Sequence, residues 1–217
     1  MLTDYERDSA GKTLLGWVAM LNFKGKQIVI RDWELKDAED YIFWRQPGRA
    51  WQKFDGPYYS RMSKDKIIKL VDTLCTKVKT NTLEIPRNDL AVADLVTDKL
   101  LGRVSWYWES KETNWLCAGI AIFSPEYWGN GRGFEALGLW TDYLFKAMPQ
   151  IERVDLRTWS GNFGMMRLAE KLRYTKEACF RKARIVDGQY YDSIGYGVLR
   201  EEWNQWHPKG FQKDIFK

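Results

Sequence analysis

Residues 124–137, SPEYWGNGRGFEAL, carry three glycines at alternate positions, Gly129, Gly131 and Gly133, just before residues that favour a helix. Repeated glycine costs conformational entropy, so it indicates that backbone must approach something closely. A glycine-rich turn that leaves a strand and opens a helix directs several backbone N–H groups at one point, where the helix macrodipole also favours negative charge. The spacing therefore predicts a phosphate-binding loop.

One interpretation of this loop is a dinucleotide-binding fingerprint. Gly131-x-Gly133-x-x-Ala136 fits the pattern GxGxxG/A, and Asp155 follows at a suitable distance. A dinucleotide fold, however, places the first glycine at the end of the strand, whereas SPEYW intervenes here, and it needs repeated parallel strands. A dinucleotide-binding protein therefore stays an alternative.

Apolar periodicity in the sequence predicts the strands and helices around the loop. Residues 115–123 are apolar on both faces, as in a covered central strand, and the loop is followed by an amphipathic helix that Pro149 ends. Residues 153–159 form a second strand, which the intervening helix allows to run parallel to the first. A further helix begins at Asn162.

The remaining segments predict antiparallel pairs. Residues 89–96 and 101–108 alternate as a hairpin, and Asp187-Gly188 is the turn of another. Before them we expect a strand at 27–34, a short helix at 37–44 and a helix with Ser63 as its N-cap. Together these elements predict one domain of the α/β class with a mixed, mainly antiparallel sheet.

The loop and its neighbours resemble the GNAT acetyltransferase superfamily. Residues 123–137 resemble its acetyl-CoA loop, whose pattern is Arg/Gln-x-x-Gly-x-Gly/Ala after a strand, and residues 158–174 resemble its next strand and helix. Residues 197–203, GVLREEW, resemble the closing strand of the branch that includes the ribosomal-protein alanine N-acetyltransferases. The likeness covers roughly 27–203, so we divide the chain into a partly ordered extension (1–26), a GNAT-like domain (27–203) and a tail (204–217).

The resemblance implies helices on both faces of the sheet, a splayed parallel strand pair and a site for acetyl-CoA as co-substrate. The pantetheine arm would pair with the splayed edge as an added strand does, and the diphosphate would rest on loop amides. Asn162 matches the family's pantetheine-binding Asn. The residues implied to bind acetyl-CoA are Ala121, Ile122, Phe123, Trp128, Gly129, Asn130, Gly131, Arg132, Gly133 and Asn162.

The chain departs from the family pattern where proton transfer is concerned. Trp128 stands at the Arg/Gln position of the loop, and Arg173 replaces the usual Gly. Many members protonate the leaving thiolate with a Tyr or Ser on the helix after Asn162, but Ala169 and Met165 stand at those positions. The catalytic residues are therefore unassigned: Glu126 is a candidate base by location only, and Ser160 or a water is the candidate acid.

Composition limits the other classes of function. Hydrophobic residues make up 45% of the chain and charged residues 29%, as in globular proteins, and the apolar runs are too short to cross a membrane. The net charge of +5 is dispersed, so a nucleic-acid partner is not indicated. The three cysteines are scattered, which suggests free thiols and no metal site. We expect a cytoplasmic protein without a membrane partner, as a monomer or homodimer.

The expected function is transfer of an acetyl group from acetyl-CoA to a primary amine. Deprotonating a lysine amine at pH 7 costs roughly 4–5 kcal/mol, against about 1 kcal/mol for an α-amine, so a site without an evident strong base favours an α-amine on a peptide or small molecule. Rings in the loop at 45–62 and just before it would either form the wall of the amine site or plug the sheet; these are Trp44, Trp51, Tyr58 and Tyr59. A non-catalytic module that binds CoA or a protein is the other alternative.

Overall fold

A central eight-stranded sheet organises the computed structural model, which describes residues 21–216. The strand order is β1-β2-β3-β4-β5-β6-β8-β7. The strands are β1 (Asn22–Lys24), β2 (Ile28–Arg31), β3 (Asp89–Asp94), β4 (Leu100–Ser110), β5 (Trp115–Ile122), β6 (Arg153–Trp159), β7 (Thr175–Val186) and β8 (Gln189–Leu199).

The sheet has a single parallel pair among the described strands, β5 with β6, and all its other neighbours are antiparallel. β5 and β6 pair only from Leu116–Val154 to Ala118–Leu156. Beyond that point both strands continue, β5 beside β4 and β6 beside β8, without pairing with each other. The predicted mixed sheet with a splayed parallel pair is confirmed.

Helices cover both faces of this sheet. The α-helices are α1 (Asp37–Arg45), α2 (Lys64–Lys79), α3 (Arg132–Ala147), α4 (Phe163–Lys171), α5 (Arg200–Trp206) and α6 (Phe211–Ile215), with 3-10 turns at Ala50–Lys53 and Pro125–Tyr127. The larger core packs α3–α6 on one face, and the smaller core packs α1 and α2 on the other. No helix within residues 21–216 is long and apolar enough to cross a membrane.

Capping and ion pairs fix the helices next to the loop at 46–62. Ser63 caps α2 as predicted, since its side chain accepts a hydrogen bond from the backbone N–H of Lys66. At the start of α1, the carboxylate of Asp37 accepts two bonds from the Arg31 guanidinium, at 2.7 and 2.9 Å, in a buried pair. A bidentate pair restrains geometry, so α1 is held firmly against β2.

The ends of the chain contain structure that the sequence analysis did not anticipate. β1 lies in the segment treated as an extension, and α6 lies in the segment treated as a tail. Phe211 is 1% exposed, and a methyl group added at Gly138 of α3 would lie 2.2 Å from its ring. The described part of the tail therefore packs into the larger core, while the division at 26/27 and 203/204 stays a prediction. Residues 1–20 and 217 lie outside the described part.

Candidate functional site

The edge of β5 that faces β6 is open after Ala118. The backbone N–H of Phe123 donates to the carbonyl oxygen of Leu101, at 2.8 Å, on the β4 side. Polar groups of successive strand residues point to opposite edges, so the N–H and C=O groups of Ile120 and Ile122 face the gap towards β6. Four residues of β5, Gly119–Ile122, thus present an edge without a neighbouring strand.

The three strand residues predicted to meet pantetheine differ in their geometry. Ile122 has its backbone groups on the open edge. Ala121 pairs with Arg103 of β4, and its N–H points to that side. Phe123 is fully buried in the smaller core. Strand alternation determines which of these residues direct their backbone groups to the gap. It could have been predicted from the sequence only if the partner strand on each side had been known.

The glycine loop leaves β5 through the 3-10 turn and ends at the N-terminus of α3. Gly129 and Gly131 have φ of 76° and 94°, in the left-handed region that favours glycine, and Gly131 is the N-cap of α3. Gly133 lies in the first turn, and a Cβ there would meet only Leu168 at 3.6 Å, an ordinary contact. Two glycines thus serve the turn itself, and the third keeps the helix N-terminus free of a side chain.

Side chains of the loop are tied to their surroundings. The indole Nε1 of Trp128 donates to the carbonyl oxygen of Ile122, at 2.8 Å. The carbonyl oxygen of Asn130 accepts from Gln27 at 3.0 Å. Arg132 lies over the Tyr127 ring with Nη2 3.7 Å from the Asp94 carboxylate. Its charge therefore already has an acidic neighbour.

The amide of Asn162 has two partners. Its Oδ1 accepts from the N–H of Met165, which caps α4, and its Nδ2 donates to the carbonyl oxygen of Phe54 at 3.2 Å. Trp159 Nε1 donates to the same oxygen, at 2.9 Å. The Phe54 ring contacts Trp128 edge-on, with centroids 5.5 Å apart. The loop at 46–62 is thereby anchored to both sides of the splay.

The two candidates for proton transfer lie in the segments that directly follow β5 and β6 and are not part of the open edge itself. Glu126 is exposed in the 3-10 turn and accepts a hydrogen bond from Tyr127, which is the main cause of the raised pKa of that tyrosine. The Ser160 hydroxyl accepts from the N–H of Asp192 at 2.9 Å. His207 is bonded to Asp214 at 2.7 Å, between α5 and α6.

A small cavity of about 70 Å³ lies between the open edge and the loop at 46–62. It is lined by Arg45, Trp51, Asp55, Arg103, Ser105, Gly119, Ile120 and Ala121. Asp55 and both arginines were not among the site residues predicted from the sequence. Period-two alternation could have placed Arg103 beside Ser105 on one face of β4, but no spacing rule positions Asp55 in an aperiodic loop.

Charges around this cavity are unevenly compensated. Arg103 forms an ion pair with Asp89, whose pKa burial raises. Arg45 contacts Met62 and the Tyr41 ring but is in no ion pair with a carboxylate among residues 21–216. The Asp55 carboxylate is exposed and neither hydrogen-bonded nor ion-paired to any described residue, so it is available to an incoming cation.

The four rings of the acceptor-wall hypothesis separate into two pairs. Trp44 and Trp51 pack on Phe123, with centroids 5.9 and 5.3 Å apart, and belong to the smaller core. Tyr58 and Tyr59 lie on the β6 side of the loop. There, Tyr58 meets Trp159 edge-on at 6.5 Å, and Tyr59 is 65% exposed. Trp44 and Trp51 therefore plug the sheet, whereas the role of Tyr58 and Tyr59 as a wall of the amine site stays a prediction.

A second cavity, of about 340 Å³, begins at Phe134, the residue after Gly133. Its lining combines cations and rings: Phe134, Lys171, Leu172, Arg173, Trp206, His207, Phe211 and Asp214. Arg173 has a φ of 63°, which is costly for a side chain other than glycine, and its guanidinium lies over Trp206. Lys171 lies over Phe134. The part of the chain that the structure describes contains no group of three or more potential metal ligands.

Comparisons with known proteins agree with this geometry. The family model of the acetyltransferase (GNAT) domain matches residues 27–175. The SPbeta prophage-derived N-acetyltransferase YokL of Bacillus subtilis is 34% identical over 88 residues, 41% of this chain and 49% of that protein. The alignment therefore spans about half the length of this relative.

Two solved structures have the same fold. The ribosomal-protein-S5-alanine acetyltransferase of Vibrio fischeri matches with a TM-score of 0.65 and 19% identity over 84% of this chain and 98% of that one. The spermidine N-acetyltransferase of Vibrio cholerae, solved with CoA and spermine, matches with a TM-score of 0.64 and 17% identity over 82% and 98%. With the family model matching most of the chain, this protein belongs to the GNAT acetyltransferase family.

Proposed function

We propose that this protein transfers the acetyl group of acetyl-CoA to a primary α-amine, on a peptide N-terminus or a small molecule. The observation that carries the proposal is the open edge of β5, which joins the glycine loop at one end and the Asp55 cavity at the other. Phosphate binding, strand-like pairing and amine binding are thereby arranged in line.

The residues of the chain fit the parts of acetyl-CoA. Amides from Gly129 to Gly133, at a helix N-terminus, suit the diphosphate. The Ile122 N–H suits the pantetheine arm, and the Ile120 N–H, which borders the cavity, would polarise the thioester carbonyl as an oxyanion donor. Lys171 and Arg173 suit the 3′-phosphate of the adenosine end. Asn162 reaches pantetheine in this proposal only when its bond to Phe54 opens.

The chemistry assigned to the site is direct attack of a neutral amine on the thioester. The N–C bond forms, the C–S bond breaks, the amine proton passes to a base and the thiolate takes a proton. Asp55 is the group that we assign to hold the amine and receive its proton, because its carboxylate lines the cavity and is in no hydrogen bond or ion pair with a described residue. The Ser160 hydroxyl donates to no described residue and remains our candidate for protonating the thiolate.

An α-amine fits this site better than a lysine side chain. A lone exposed carboxylate helps little against the roughly 4–5 kcal/mol needed to neutralise a lysine at pH 7, whereas an α-amine needs about 1 kcal/mol. The substrates named for the two structural neighbours, a ribosomal-protein alanine and spermidine, are both amines.

The test is release of CoA thiol from acetyl-CoA in the presence of a panel of α-amines, with mass spectrometry of the acceptor. We expect amine-dependent thiol release and an acceptor heavier by one acetyl group. Saturable CoA binding without amine-dependent release would instead identify a non-catalytic module. The absence of Tyr and Ser at Ala169 and Met165 is the observation that favours that second candidate.

A further inference from the structure

Residues 45–62, which comprise the last residue of α1 and the loop after it, carry an excess of positive charge beside the Asp55 cavity. They include one carboxylate, Asp55, and four cations: Arg45, Arg49, Lys53 and Arg61. None of the four is in an ion pair with a described carboxylate, whereas Arg31, Arg87 and Arg153 elsewhere are paired. The excess is therefore a local feature and does not follow from the overall charge.

Most of these cations are fixed by groups that do not neutralise them. Arg49 donates to the carbonyl oxygen of Phe43 at 3.0 Å and lies 3.6 Å from the centre of its ring. Arg61 donates to the carbonyl oxygen of Asp55 at 3.1 Å. Carbonyl oxygens and rings orient a guanidinium but leave its full charge in place, so this segment carries a net positive charge next to the cavity.

The wall opposite the loop adds another cation. Arg184, near the tip of the β7–β8 hairpin, lies over the Tyr58 ring at 4.7 Å, and Tyr191 of the same hairpin packs on Trp159 at 4.8 Å. The hairpin thus lines the opening from the side of β6. Arg184 thus contacts the loop at Tyr58 and adds a positive charge beside it.

Within the cavity itself, the charges of the protein balance until an ammonium binds. Asp89 is ion-paired with Arg103 and also attracts Arg45, while Asp55 attracts Arg103 without forming an ion pair. The two arginines and the two carboxylates balance, so an acceptor ammonium bound at Asp55 adds one positive charge beside Arg45, which is in no ion pair with a described carboxylate. A cavity that offers one carboxylate and one unpaired guanidinium is complementary to a zwitterion.

We propose that the acceptor amine carries a carboxylate a few bonds from its nitrogen, with the ammonium bound at Asp55 and the carboxylate at Arg45. This deepens the proposed function and rests on it. The same positive charge disfavours polyamines, since their additional ammonium groups would meet Arg45, Arg184 and the cationic loop.

Three tripeptide amides that differ in the first side chain test the proposal: Asp-Ala-Ala-amide, Asn-Ala-Ala-amide and Lys-Ala-Ala-amide. Measured at one pH near about 8 and corrected for the fraction of neutral α-amine in each peptide, kcat/KM for α-acetylation should fall in that order, with Asp about tenfold above Asn, as a charge-assisted hydrogen bond provides. Raising NaCl from about 50 to 500 mM should reduce the Asp advantage, because salt screens exposed charges.

Variants of Arg45 test whether this residue binds the carboxylate of the acceptor. Arg45→Gln should bring the Asp/Asn ratio close to one, and Arg45→Glu should place Lys above Asp. Lys111→Gln, in the exposed β4–β5 turn, is the matched control and should leave the ratio at its wild-type value. An Asp/Asn ratio of one or below in an active wild-type protein overturns the proposal, and an unchanged ratio in a folded Arg45→Gln protein overturns the role of Arg45. If no α-amine is acetylated at all, the proposed function itself fails.

Discussion

Trp128 donates a hydrogen bond from its indole to the backbone carbonyl of Ile122, and thereby fastens the glycine loop to the last residue of the open edge. Trp128 stands where the family pattern has Arg or Gln, and its bond closes the turn from within. The loop and the edge are consequently held as one unit.

Trp128→Phe should loosen that unit. The lost bond is worth about 0.5–1.5 kcal/mol, so we expect KM for acetyl-CoA to rise ~2–10-fold with little change in Tm. Steady-state kinetics and calorimetry measure both. Trp108→Phe, on β4 and packed against Trp106, is the control and should leave KM unchanged; equal KM values in the two variants would contradict the fastening role.

Gly133→Glu should weaken CoA binding by at least about tenfold, because its carboxylate lies where a helix N-terminus receives phosphate. The fold should tolerate the change, since a Cβ at this position makes only an ordinary contact with Leu168. Gly133→Gln has the same shape without the charge and should lose less. Equal CoA affinities of the Glu variant and the wild type by calorimetry would refute the loop assignment.

Asp55→Asn should lower kcat/KM by about 100-fold or more if Asp55 receives the amine proton, with Tm nearly unchanged because the exposed carboxylate is in no hydrogen bond or ion pair with a described residue. Glu126→Gln and His207→Gln should each cost less than that factor. In the wild type, kcat/KM should rise with pH as the acceptor loses its proton and level off above about pH 8 for an α-amine. A loss of about 100-fold in kcat/KM for Glu126→Gln would instead identify Glu126 as the residue that receives the amine proton.

Lys171→Gln and Arg173→Gly should weaken CoA binding several-fold while leaving 3′-dephospho-CoA unaffected, because only the former has the phosphate that we assign to these cations. Arg173→Gly also removes a left-handed non-glycine residue, so Tm should not fall. Calorimetry with both ligands provides the comparison. Equal losses for the two ligands would exclude a 3′-phosphate site at the second cavity.

Alkylation rates should differ between the buried Cys117 and the exposed Cys179. Burial raises the pKa of Cys117 to about 11, so its thiolate is ~0.1% populated at pH 8, whereas Cys179 is exposed. Iodoacetamide at pH 8 should therefore label Cys179 first and Cys117 only after unfolding, as peptide mass spectrometry would detect. Similar rates at the two positions in the folded protein would disprove the burial argument.

Sequence reasoning succeeded where the signal is local. The predicted strand at 153–159 has the same bounds in the structure, and the Asp187-Gly188 turn and the Ser63 cap are where they were expected. Each depends on neighbours a few residues away: alternation, turn geometry or a capping oxygen.

The residues of the acceptor site could not be predicted from such local signals. Asp55 reaches the cavity because Phe54 is held by Trp159 and Asn162, more than a hundred residues later in the chain. An aperiodic loop gives no sign of such anchors, and the packing of α6 against Gly138 is equally non-local. The acetyl-CoA residues and the proton-transfer groups remain predictions.

The alternation along β5 also bears on how the family can vary. Because neighbouring residues of this strand serve opposite purposes, Ile122 towards the gap and Phe123 into the core, inserting or deleting one residue within it would exchange the two roles at every following position. The 3-10 turn and loop that follow can change length without this penalty. Sequence drift should therefore preserve the count of residues from Leu116 to Phe123 while tolerating gaps immediately after it, and a reliable alignment of distant relatives can be anchored on that count.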